Sequence, residues 1–352
     1  MKRPSRRLLF IILQILVVAV LLEASGRALW PQFVDDSEFL DDAFLHLLNS
    51  GVTLSPDSAN FSRRFGWVLS PNTESAFEYA GDTYISTINS LGFRSREIQP
   101  RTDNEYRVML VGDSMFFGTR NHEVDTIASI LERLGRPHLS VYNYSVSGYN
   151  TVQELIVART YVEPLTPDHI ILGFFIANDI LPNAIARVDN QGNYGTSPDT
   201  EETIRQMLRA RLGPFMHSTV LKAIADRVYL PRWRYEVSIM DEVIAKSYSL
   251  IAELERLATE NDVRFSMVIL YPKDAVQGGI VQTWSKSRIA GELLHAFCDE
   301  YSIEVLDLIE YMNTSEDKER YFLKDDGHPN GEGNAIIAKA MYGNLVEPHV
   351  VQ

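Results

Sequence analysis

The chain has 352 residues, 45% of them apolar and 23% charged, and its 33 basic and 47 acidic side chains leave a formal net charge of −14. This composition excludes a wholly disordered, collagen-like or polytopic membrane chain. The acidic balance argues against a nucleic-acid partner, because such a surface repels phosphate backbones. One cysteine, Cys298, excludes an intrachain disulfide and a cysteine-based zinc site, and the 8 histidines form no HExxH or other tight ligand pair. No metal or other cofactor is expected.

At the start, Lys2, Arg3, Arg6 and Arg7 precede an apolar run from Leu8 to Leu22, broken only by Gln14. Basic residues followed by an apolar stretch form an export signal, with the charges kept in the cytoplasm. At 1.5 Å per residue the run reaches about 22 Å, short of a ~30 Å hydrocarbon core. Continuation to Leu29-Trp30 completes a tilted anchor, whereas Ala24-x-Gly26 suits a cleavage site. Residues 1–30 are therefore expected to be a signal anchor or signal peptide that places the remainder outside the cytoplasm. The anchor is the favoured form, and the membrane is then a partner through this helix. The lone cysteine suits an oxidising compartment.

Residues 31–104 show no repeat and are expected to form an extension packed on the main domain. Asp35, Asp36, Glu38, Asp41 and Asp42 make a solvated acidic face, with a short amphipathic helix carrying Phe39, Phe44, Leu47 and Leu48. Residues 65–69 and 83–87 read as short strands.

From residue 105 to 348 the pattern changes. Continuously apolar runs at 107–111, 141–146, 169–175, 264–271 and 303–308 alternate with helical stretches at 125–134, 151–162, 241–259 and 285–301. Apolar strands separated by helices mark a parallel sheet buried on both faces. The expected fold is an α/β doubly wound sandwich on a five-stranded parallel sheet. An insertion spans about 180–262, with a loop at 189–200 and a helix at 201–212 stopped by Gly213-Pro214. Cys298 shares an apolar helix face with Leu293, Leu294, Phe297 and Tyr301 and reads as core.

The residues that carry chemistry follow the strands. Gly112-Asp113-Ser114 follows the first, where open α/β sheets bind ligands at the strands' carboxyl ends. A serine hydroxyl needs a base to take its proton, and histidine serves when a carboxylate orients its ring. Asp325-x-x-His328 offers that pair inside one turn, with Asn330 as an N-cap for the next helix. Gly148 follows the second strand and Asn178-Asp179 the third. A glycine N–H and an asparagine amide are donors suited to the negative charge that builds on an ester carbonyl oxygen. Taken alone, each segment also reads as an ordinary turn or cap. Together they fall at one edge of the sheet.

In this order the residues resemble the SGNH (GDSL-type) hydrolase superfamily, and the resemblance covers roughly 107–345. Its blocks match at Gly112-Asp113-Ser114, Gly148, Asn178-Asp179 and Asp325-x-x-His328. The resemblance implies Ser114 as nucleophile, His328 as general base and Asp325 as the carboxylate that orients it. It implies an oxyanion hole from the Ser114 and Gly148 N–H groups and the Asn178 side chain. It also implies a serine esterase without a metal, acting on acetyl esters of a carbohydrate or small molecule. Alternatives are an O-acyltransferase on an envelope glycan using the same triad, and a non-catalytic envelope scaffold that keeps the fold. Asn89-Ser90-Leu91-Gly92-Phe93-Arg94 resembles a segment of membrane-anchored bacterial members. The chain departs from the family at Ile176, where a glycine is usual, and it lacks the G-x-S-x-G elbow of α/β-hydrolases.

Overall fold

The computed structural model describes residues 6–29, 59–79, 81–216, 218–221, 240–276, 286–312, 318–324 and 326–350. The acidic face and short helix expected between 35 and 48 lie outside the described residues. Residues 50–197 and 242–352 make one compact unit, and residues 1–49 and 198–241 make another.

The larger unit opens with two antiparallel hairpins. β1 (Ala59–Ser62) pairs with β2 (Gly66–Leu69), and β3 (Thr73–Tyr79) pairs with β4 (Asp82–Ile88). The parallel sheet follows, built from β5 (Tyr106–Gly112), β6 (Leu139–Asn143), β7 (His169–Phe175), β10 (Arg264–Leu270) and β11 (Glu304–Asp307) in the spatial order β11-β10-β7-β5-β6. Every residue of β6 and β7 is buried, as are all but the first of β5 and β10. Strands covered on both faces cannot alternate polar and apolar residues, which is why these segments read as unbroken apolar runs. The five expected strands and the doubly wound α/β fold are present. The second strand ends at Asn143 rather than Val146. There the Asn143 side chain accepts from the Ser145 N–H at 3.2 Å and turns the chain.

α2 (Ser114–Phe117), α3 (Ile127–Leu134), α4 (Thr151–Leu165) and α5 (Ile176–Ile185) connect the first three strands and lead away from the third. Each of the first three starts on a side-chain cap, from Asp113, Thr126 and Asn150 respectively. Asn178-Asp179 lies inside the first turn of α5, not in a loop. The Asp179 carboxylate accepts the Phe175 N–H at 2.7 Å, so the helix starts directly at the end of β7.

The insertion differs from expectation in detail. β8 (Ala186–Val188) and β9 (Tyr194–Thr196) form a small hairpin where a loop was expected, closed by Asp189, whose side chain accepts from the Gln191 and Asn193 N–H groups. α6 (Pro198–Met216) continues through Gly213-Pro214, although that pair read as a stop. α7 (Met240–Glu260) and α8 (Lys286–Glu300) flank β10, and α9 (Gly331–Met341) packs on α3. Cys298 is fully buried on α8, and burial pushes its thiol up to about 12.

In the smaller unit, α1 (Arg6–Leu29) carries Glu23, whose carboxylate accepts from the Ser218 hydroxyl at 2.7 Å and the Thr219 N–H at 2.9 Å. Among the described residues, no helix is long and apolar enough to cross a membrane.

Candidate active site

Two glycines set the position of the nucleophile candidate. Gly112 ends β5 and pairs in register with Gly173 of β7. A Cβ at Gly173 would lie 2.7 Å from the Phe116 ring, and one at Gly112 would lie 3.2 Å from it. Bare backbone at both positions leaves room for the Phe116 ring, which belongs to the one-turn helix α2, against the strand ends. Asp113 caps the turn by accepting the Met115 N–H at 2.9 Å. Ser114 thereby sits at the carboxyl end of β5, 3% exposed.

His328 reaches it from the other end of the chain. The turn that carries it is closed by the Leu323 N–H, which donates to the His328 carbonyl at 2.9 Å, and by a bridge between Phe322 and Pro329. Asn330 then caps α9 through the Glu332 and Gly333 N–H groups. In this frame His328 Nε2 lies 2.8 Å from Ser114 Oγ.

The carboxylate on the opposite ring nitrogen belongs to Asp326. Its Oδ1 lies 2.5 Å from His328 Nδ1 and also accepts the His328 backbone N–H at 2.9 Å. Asp325, expected in this role, lies outside the described residues. An aspartate accepting the N–H two residues on makes an ordinary Asx turn, and Asp326 stands at that spacing from His328. Arg120 forms an ion pair with Asp326 Oδ2. Partial burial works against the Asp326 charge, but the bonds and charge of His328 and the charge of Arg120 outweigh it, and its carboxyl falls to about 2. A carboxylate on Nδ1 holds the ring proton there and leaves Nε2 free to accept the Ser114 hydroxyl proton.

Gly148 and Asn178 each follow the carboxyl end of a strand of the parallel sheet, β6 and β7. After β6 the chain still tracks β5, with the Tyr144 N–H on the Leu110 carbonyl at 2.8 Å and the Val146 N–H on the Gly112 carbonyl at 3.2 Å. Gly148 follows in a left-handed conformation, φ 83°, that favours glycine. Ser147 Oγ lies 2.9 Å from Thr119 Oγ1, tying this loop to the one after α2. Asn178 is the third residue of α5, and its side chain is outside the described residues.

Three carboxyl groups are buried together, one of them, Asp113, directly before the serine. Asp113, Glu154 and Asp179 are all 1% exposed or less. Burial, and then the Asp113 charge, push the Glu154 carboxyl well up. Burial, and then Glu154 and Asp113, do the same to Asp179. Like charges buried together disfavour one another, so Glu154 and Asp179 tend to keep their protons.

A serine hydroxyl, an imidazole acceptor and a carboxylate on its far nitrogen form a chain along which one proton can move. The sequence profile of the GDSL-like lipase/acylhydrolase family matches residues 108–341, more than half of the chain. No curated protein matches it. Solved structures similar to the chain include a psychrotrophic esterase from Pseudoalteromonas sp., at 12% identity over 69% of this chain and 98% of that one, TM-score 0.40. A GDSL-like lipase from Bacteroides thetaiotaomicron matches at 16% identity over 71% and 91%, TM-score 0.39. A lipase/acylhydrolase from Enterococcus faecalis matches at 13% identity over 68% and 96%, TM-score 0.37. By its family match, this chain belongs to the GDSL-like lipase/acylhydrolases and is an ester-hydrolysing serine hydrolase.

Proposed function

We propose that Ser114 is the nucleophile, His328 the general base and Asp326 the carboxylate that orients it, in an exported esterase acting on acetyl esters of a carbohydrate or small molecule. The observation that carries this reading is the 2.8 Å contact of Ser114 Oγ with His328 Nε2, backed by Asp326 on Nδ1.

His328 Nε2 takes the hydroxyl proton as Ser114 Oγ bonds to the ester carbonyl carbon. The resulting oxyanion is met by the Ser114 and Gly148 N–H groups and the Asn178 amide, each such donor contributing about 10²–10³ in rate. Collapse breaks the bond to the leaving alkoxide, which receives the proton from His328 and departs as an alcohol. Water then enters and gives its proton to His328 as its oxygen attacks the acyl carbon. The acid leaves, and the proton returns to Ser114.

The acetyl-carbohydrate preference rests on the family resemblance. Export is supported by the four cations ahead of the Leu8–Leu22 run. Protease protection of intact cells or spheroplasts tests it, and full cytoplasmic protection contradicts it.

Ser114→Ala tests the chemistry. Hydrolysis of p-nitrophenyl acetate is expected to fall to background with the circular dichroism spectrum unchanged, and retained turnover contradicts the assignment. Product analysis with a sugar acceptor present reads the partition between water and a glycan hydroxyl.

A further inference from the structure

The segment Asn89–Arg94 lies upstream of the residues matched by the family profile, and the chemistry above does not use it. Its own geometry is tightly specified. Asn89 Oδ1 accepts the Leu91 and Phe93 N–H groups, both at 3.0 Å, and the Asn89 N–H donates to the Phe93 carbonyl at 2.8 Å. Gly92 has φ 87°, and a Cβ there would lie 3.0 Å from the Leu69 carbonyl oxygen. The turn is fastened to the main domain by the Phe93 ring, stacked on Tyr144 at 4.6 Å, and by Ser95 Oγ, which accepts the Asn143 N–H at 3.0 Å.

This turn delivers Arg94, 2% exposed, into the loop that follows the nucleophile helix. Nε donates to Glu123 at 2.8 Å. One terminal nitrogen donates to the carbonyls of Phe117 at 3.4 Å and Gly118 at 2.8 Å. The other donates to Ile85 at 3.3 Å and Asn121 at 2.9 Å. All five donors of a guanidinium are thus engaged, three of them on carbonyls of one loop. That loop has two residues in the left-handed region, Gly118 at φ 78° and Arg120 at φ 56°. Without Arg94, three of its carbonyls lose a buried donor, which a backbone rarely tolerates.

The loop in turn holds the base. Asn121 donates to the Pro329 carbonyl at 2.9 Å, directly after His328, and Arg120 pairs with Asp326. A continuous set of contacts therefore runs from Arg94 through 117–123 to Asp326 and His328.

We propose that Arg94 is a positioning residue for the reaction: it fixes loop 117–123 so that Arg120 and Asn121 hold the Asp326–His328 turn in register with Ser114. The proposal rests on the catalytic reading given above. Lysine cannot replace Arg94, because one ammonium offers three donors from a single point where five diverging ones are used.

The test is a double-mutant cycle of Arg94→Lys and Arg120→Ala in the full chain, with active sites counted by fluorophosphonate labelling. Each single variant is expected to lower kcat per labelled site on p-nitrophenyl acetate about 10- to 100-fold, the size of effect that an ångström of misplacement causes, with KM within about threefold. The double variant is expected to be no slower than the slower single, within about a factor of two, because both act through one turn. Unchanged kcat per site in Arg94→Lys overturns the proposal, as do losses that multiply in the double variant. Should Arg94→Lys not fold, Glu123→Ala carries the test. It frees Nε and leaves the carbonyl contacts, and kcat is expected to drop severalfold at unchanged KM. Unchanged kcat overturns the proposal. Absence of label in the wild type removes the catalytic reading and this inference together. A labelled wild type beside a full-rate Arg94→Lys removes this inference alone.

Discussion

Asp326 and His328 meet twice within one turn, through the backbone N–H at 2.9 Å and through ring Nδ1 at 2.5 Å. The first contact fixes where the carboxylate sits, and the second fixes which ring nitrogen keeps its proton. Asp326→Asn keeps the shape but presents an amide, which also stabilises the wrong tautomer. It is expected to lower kcat about 10²- to 10⁴-fold with little change in KM. Asp325→Asn is expected to cost far less. Steady-state kinetics on the two variants decide between the neighbours.

The same pair predicts an acid dependence of stability. Asp326 is held at about 2, below its ordinary 3.8. A carboxyl whose folded value is depressed adds stability above its unfolded value, and that stability is lost as pH falls toward the folded one. The urea midpoint of the wild type is therefore expected to exceed that of Asp326→Asn at pH 6. The gap should narrow steadily between pH 4 and pH 2. A gap that is constant or widens on acidification contradicts the assignment.

Glu154 and Asp179 carry the opposite sign. Their folded values are raised, so stability is fully present below the ordinary carboxylate range and is lost as pH climbs through the folded value. Glu154→Gln removes one of these titrations. Its urea midpoint is expected to match the wild type near pH 4 and to exceed it at pH 8. Equal pH slopes for the two proteins would show that Glu154 does not hold its proton.

Gly173→Ala tests how the serine is placed. The added Cβ meets the Phe116 ring at 2.7 Å, and overpacking of this kind costs about 1–3 kcal/mol. Because Phe116 belongs to the same turn as Ser114, kcat is expected to fall as well. A fold and rate equal to the wild type would separate the glycine pair from the position of the nucleophile.

The fold was legible because its strands are buried on both faces, and such strands announce themselves as apolar runs from Val108 to Val111 or Ile170 to Phe175. Ser114 stood out as a serine after the first apolar strand and His328 as a histidine in an acidic turn, and the structure brings their side chains to 2.8 Å. The identity of the carboxylate depended on turn geometry, since two adjacent aspartates satisfy any rule written only in spacing. α6 ran through Gly213-Pro214 against local propensity, and the nature of the break signal alone did not foresee it. The contacts of Arg94 and Arg120 were not legible. Their effect passes through backbone carbonyls and an ion pair between segments far apart in the chain, and no local pattern records such contacts.

The most direct measurement is peptide mapping of the fluorophosphonate-labelled protein by mass spectrometry. One adduct is expected, on the peptide containing Ser114, absent in Ser114→Ala and slowed at least tenfold in His328→Ala, because an unactivated hydroxyl is a poor nucleophile. An adduct on another residue, or labelling of Ser114 at an undiminished rate without His328, would contradict this expectation.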